Sequence, residues 1–172
     1  IERAGEHPKQ SVSAYIPFDR VLDISDKMDV NGQLNWNAPK GKWTVLRIGH
    51  VNTGMRNGPA PPEGTGWECN KLSVTGPDAQ FAGYIGRLTG NNGPLAGGLL
   101  NGVLMDSWEC KTQTWTTDME NEFQRVAEYP LRKWLPAVFG YVMDDTETTK
   151  RFLRDWRATI GDLFVNNFYG RM

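Results

Sequence analysis

The hydrophobic positions along this chain change period twice. From Ser11 to Ile24 the apolar residues Val12, Tyr15, Ile16, Phe18, Val21 and Leu22 follow neither a helical nor a strand period and are broken by Pro17, which predicts short strands or irregular chain. Asn31-Gly32, between Val30 and Leu34, is a turn dipeptide favouring type I′ geometry, so a hairpin is expected there. After the turn residues Pro39-Lys40-Gly41, the run Trp43-Thr44-Val45-Leu46-Arg47-Ile48 is rich in β-branched and apolar residues and stops at Gly49, which predicts a strand.

Residues 50–66 hold Gly54, Gly58, Pro59, Pro61, Pro62, Gly64 and Gly66, a composition that continues neither a helix nor a central strand and predicts a long loop with a fixed path. A helix is expected over Pro77–Ile85, and Gly90–Gly98 is turn-rich. Residues 99–106, Leu-Leu-Asn-Gly-Val-Leu-Met-Asp, predict a buried strand ending in polar residues. Thr117-Asp118-Met119-Glu120 matches a capping box, and Met119, Phe123 and Val126 then recur at helical spacing, so a helix is expected over about 117–128. Tyr129-Pro130 interrupts it, and a shorter segment around Pro136 ends at Gly140. The last helix is expected over about 146–168. Phe152, Leu153, Trp156, Ile160, Leu163 and Phe164 mark its apolar face, and Lys150, Arg151, Arg154, Asp155, Arg157 and Asp162 its polar one.

This order predicts an α/β chain: a strand-rich segment over 1–49, then a partial (β/α) unit over 50–172. A buried strand followed by an amphipathic helix is the repeating unit of parallel sheets and of (β/α)8 barrels, whose chemistry sits at the C-terminal strand ends. The 172 residues suffice for one domain but not for a complete barrel. The chain opens on Ile1, and Glu2–Gln10 have neither the basic start nor the apolar run of a signal sequence, so the chain reads as a segment of something longer.

Nineteen basic and twenty acidic residues are evenly spread, leaving no cationic stripe for a nucleic-acid backbone. No apolar run approaches the roughly 20 residues that span a bilayer. Cys69 and Cys110 stand far apart, without metal-site or disulfide-framework spacing. Phosphate loops, nucleophile elbows and His-Glu-x-x-His helices are absent from the sequence.

Asp106-Ser107-Trp108-Glu109 is the sharpest candidate for chemistry. A carboxylate beside an indole at the end of a buried strand can be held protonated and act as a general acid. The plainer reading makes Asp106 a turn cap and Glu109 a solvated carboxylate. Glu68, at the end of the Pro/Gly loop, either lines the same cleft or is held in a local ion pair with Lys71. His50 either binds sugar hydroxyls or caps the preceding strand. The tripeptide Trp67-Glu68-Cys69 recurs as Trp108-Glu109-Cys110, a coincidence in a chain with seven Trp. Those indoles, Trp115 among them, offer stacking surfaces for sugars, although most aromatic rings in a domain of this size belong to its core.

Residues 41–50 (Gly-Lys-Trp-Thr-Val-Leu-Arg-Ile-Gly-His), residues 60–66 with Glu68 and Lys71, Asp106–Glu109 with Gln113, Trp115 and Thr116, and the segments Arg151–Asp155 and Asn167–Gly170 carry a resemblance. In this order they resemble the family 106 glycoside hydrolases, the α-L-rhamnosidase-like enzymes. The resemblance implies a (β/α)8 catalytic domain with β-sandwich elements, and inverting hydrolysis of terminal L-rhamnose on plant cell-wall glycans. It also implies a calcium requirement and a periplasmic or extracellular bacterial protein. On the matched motif Glu109 becomes the catalytic acid. Asp106, Trp108, His50, Glu68 and Trp115 are the candidate substrate-binding residues, and the substrate is an oligosaccharide or another rhamnose-containing glycan. Inverting hydrolysis needs a second carboxylate about 6.5–9.5 Å from the first, expected beyond Met172. A non-catalytic carbohydrate-binding module that stacks sugars on Trp43, Trp67, Trp108 and Trp115 is the alternative, and a purely structural domain is a third.

Overall fold

A computed structural model describes residues 15–105 and 111–172. The chain forms two compact units, one made of Ile1–Ile48 with Phe123–Trp156, the other of Gly49–Glu122 with Arg157–Met172. Five α-helices are described: α1 (Thr75–Gly83), α2 (Ile85–Thr89), α3 (Met119–Ala127), α4 (Leu135–Val138) and α5 (Thr146–Phe164), the last continued by a π-helical turn over Val165–Tyr169.

In the first unit the core is aromatic. Phe123 and Phe152 are fully buried. Tyr129 meets Phe123 edge-on with centroids 5.0 Å apart, and Trp134 stacks on Phe152 at 5.6 Å and on Phe18 at 4.4 Å. Such offset and edge-on pairs suit the ring quadrupoles and add to the area buried. Glu128, in the left-handed region at φ 65°, and Pro130 after it end α3. Asp145 caps α5 with both carboxylate oxygens: Oδ1 accepts from the Thr148 amide at 2.7 Å and Oδ2 from the Thr148 hydroxyl at 2.9 Å. One turn on, the buried Thr149 hydroxyl accepts from the Met143 amide and donates to the Met143 carbonyl.

In the second unit Leu72, Pro77, Met119 and Leu163 are buried. The Pro/Gly loop is ordered by a short antiparallel contact, Arg56 with Trp67, and by Asn57. The Asn57 side chain donates to the Gly64 carbonyl at 3.0 Å and accepts from the Gly66 amide at 2.7 Å. Arg171 grips Asp78 of α1 through a two-point fork at 2.6 and 2.9 Å.

The helical periodicity of α5 is realised as a buried face of Phe152, Trp156, Thr159 and Leu163. The strands expected from the sequence are not. Among the described residues β-pairing is confined to isolated bridges, so the α/β expectation gives way to an α-rich piece. Residues 99–105, expected as a buried strand, have no regular structure, and Val103 and Leu104 are 58% and 91% exposed. The Trp43–Ile48 run is likewise unpaired and largely exposed, with Trp43 folded back to donate to the Pro39 carbonyl at 2.9 Å. The reason is physical: an apolar run becomes a strand only when another segment offers a free ladder edge, and neither run finds one here. The Asn31-Gly32 turn is also corrected. Only Gly32 has positive φ, Asp29 accepts from the Gly32 amide, and Asp29 donates to the Gln33 carbonyl. This is a three-residue loop closed by a left-handed glycine, not the two-residue type I′ turn, which needs positive φ at both positions.

Candidate active site

The candidate residues of the second unit gather around the turn Glu68–Leu72. Asn70 shapes that turn locally, its Oδ1 accepting from the Leu72 amide at 3.1 Å. Three side chains from elsewhere then fix it. Gln113 is buried and uses both ends of its amide: Nε2 donates to the Cys69 carbonyl at 2.8 Å, and Oε1 accepts from the Lys71 amide at 2.9 Å. It therefore satisfies two backbone groups on either side of Asn70, as a neighbouring peptide would. Thr116 accepts from Asn70 Nδ2 at 3.0 Å, and Asn167 donates to the Leu72 carbonyl at 3.0 Å.

Within the turn, the Lys71 ammonium is paired with Glu68 Oε1, which also accepts from the Cys69 amide at 3.1 Å. The two side chains are only 8% and 12% exposed, and the ammonium lies 5.4 Å from the centre of the Phe168 ring. The local ion pair expected for Glu68 is thus present, but it is buried, where each charge depends on its partner. Cys69 carries a free thiol. Burial pushes its pKa up, Lys71 opposes that shift, and the Glu68 carboxylate adds to it.

His50 neither caps a strand nor stands alone: its ring stacks on Trp115 with centroids 5.8 Å apart and an interplanar angle of 21°. Asn52 closes a local turn by accepting from the Gly54 amide at 2.7 Å. On the Pro/Gly loop, Trp67 is 61% exposed and carries Arg56 over its ring at 4.8 Å. Residues Asp106, Trp108 and Glu109, the sharpest candidates of the sequence, lie outside the described residues, as does Cys110. The structure thus brings together Glu68 with Lys71, and His50 with Trp115. It adds Gln113, Thr116, Asn70 and Asn167, to which the sequence assigned no role. Their signal was weak, since polar residues in loops look alike until burial forces them to find partners.

Among the described residues no group of three or more His, Cys, Asp or Glu side chains converges as a metal site. No described helix is long and apolar enough to cross a membrane.

Residues 2–172, nearly the whole chain, match the glycoside hydrolase family 106 profile, described as alpha-L-rhamnosidase, and the chain belongs to that family. It is 38% identical over 156 residues to a protein of Formosa agariphila named "Putative beta-glucuronidase", covering 91% of this chain and 13% of that one. It also superimposes on the solved structure of the rhamnosidase from Novosphingobium sp. PP1Y with a TM-score of 0.72 at 32% identity, covering 90% of this chain and 15% of the enzyme. The chain therefore spans about one seventh of the length of these relatives.

Proposed function

We propose that this chain is part of the catalytic region of an α-L-rhamnosidase with a (β/α)8 barrel, in which Glu109 protonates the departing glycosidic oxygen while a carboxylate outside this chain activates water on the opposite face of the sugar. Direct displacement by that water, with no covalent glycosyl-enzyme intermediate, gives inversion. Trp108 and Asp106 shape the pocket around the acid, and His50, Glu68 and Trp115 bound the sugar. The substrate is a glycan with terminal L-rhamnose, such as those of plant cell walls.

The observation that carries this reading is the match of residues 2–172 to the alpha-L-rhamnosidase family, with the Asp106-Ser107-Trp108-Glu109 motif inside the matched span.

The test is Glu109→Gln in the full-length protein, assayed on aryl α-L-rhamnosides with good and poor leaving groups. Loss of a general acid lowers turnover by about 10²–10⁴-fold. The loss should be larger for the poor leaving group, with rhamnose binding retained. Unchanged turnover on both substrates removes Glu109 from the role.

A further inference from the structure

We infer that Gln113 is a positioning residue of this site, holding the Glu68–Lys71 turn in register with the segment that carries Trp115. The inference rests on the reading of the site given above and goes beyond it by assigning a task to a buried residue whose amide is bonded to the backbone of the turn. Residues 113–116 make three sets of contacts with two separate parts of the chain, the turn around Asn70 and His50. Gln113 binds the backbone on both sides of Asn70, Thr116 binds the Asn70 side chain, and Trp115 between them stacks on His50. The spacing of these contacts leaves little freedom. The Cys69 carbonyl and the Lys71 amide flank Asn70, and the planar amide of Gln113 meets both at 2.8 and 2.9 Å, so sliding the turn by one residue breaks both bonds together.

The composition of the contact also favours register over bulk stability. A buried amide and a buried ion pair give little net stabilisation compared with apolar side chains of similar volume, because each polar group must first be desolvated. What they supply is direction: two bonds at fixed angles that an apolar contact would not enforce. Displacing a reacting group by about 1 Å costs on the order of a hundredfold in rate, so a clamp that enforces register acts on turnover more than on substrate affinity.

The experiment compares Gln113→Met with Thr149→Val in the full-length protein. Methionine keeps the length and volume of Gln113 but neither hydrogen bond. Thr149→Val removes a comparable buried clamp, the two bonds of Thr149 to Met143, in the other unit. Each variant is assayed on aryl α-L-rhamnoside and aryl β-glucuronide at a temperature where circular dichroism shows it folded. For Gln113→Met we expect kcat to fall roughly ten- to a hundredfold with KM within about threefold of the parent. For Thr149→Val we expect a lower Tm and an unchanged kcat.

A folded Gln113→Met protein with parental kcat overturns the inference, as does an equal fall in kcat for both variants, which would make the effect one of stability. Glu109→Gln, assayed alongside, separates the two ideas: if it keeps full turnover while Gln113→Met does not, the acid assignment falls and the positioning role stands. If the full-length protein hydrolyses neither glycoside, both fall.

Discussion

The Tyr129 hydroxyl donates to Asp155 Oδ2 at 2.9 Å, tying the residue that follows α3 to the middle of α5. Burial and this bond to a carboxylate both hold the proton on Tyr129, raising its pKa well above the ordinary value of 10.0. A raised pKa gives stability that is complete below the unfolded value and is lost as pH climbs through the folded one. Stability of this unit is therefore expected to decline above about pH 10 in the parent, and less steeply in Tyr129→Phe. At neutral pH the same variant should be less stable by about 1 kcal/mol, the net worth of one hydrogen bond. Chemical denaturation at pH 7 and pH 10.5 checks both; identical pH slopes in parent and variant would count against the Tyr129 assignment.

Lys71 and Glu68 should respond to mutation as a buried pair and not as two surface charges. Lys71→Met removes the ammonium paired with the buried Glu68 carboxylate and should cost about 3–5 kcal/mol, whereas adding Glu68→Leu should recover most of the loss. An additive double variant in urea unfolding would show that the two charges are independent.

At the start of α5, Thr148 bonds to Asp145 hold that carboxyl below its ordinary pKa of 3.8, its backbone amide contributing most. A depressed pKa gives stability present above the unfolded value and lost as pH falls through the lower, folded one. The cap is therefore expected to weaken below about pH 4. Asp145→Ala should lower Tm at pH 7, Asp145→Asn should lower it less because the amide oxygen still caps, and the Ala difference should shrink at pH 3. A Tm difference that is the same at both pH values would contradict this.

The 172-residue chain by itself is expected to leave aryl α-L-rhamnosides intact while the full-length protein hydrolyses them, since one carboxylate cannot both protonate the leaving group and activate water opposite it. Release of the aryl alcohol by the purified chain would place the second carboxylate inside it. Glu68→Gln and then Glu63→Gln, each with added azide, would locate it.

The amino-acid sequence alone determined α3 and α5, while the single helix expected over Pro77–Ile85 is two, α1 and α2. The capping residues before Met119 and the spacing of Phe152, Trp156 and Leu163 mark α3 and α5 because helical hydrogen bonds and faces join residues three or four apart. The short spacing of Glu68 and Lys71 likewise made their ion pair one of the two readings open for Glu68, and the structure contains it. The family, too, was legible in the order of short motifs. Only the tertiary structure decided the rest. Val103 and Leu104 have the composition of a strand and lack its pairing, since a strand is made by a partner that may lie anywhere along the chain. Gln113 stands more than 40 residues from the turn it clamps, as do Thr116 from Asn70 and Trp115 from His50. Nothing local distinguishes these polar side chains from solvated ones; burial leaves them no water to bond with, and each then has to find its partner within the fold.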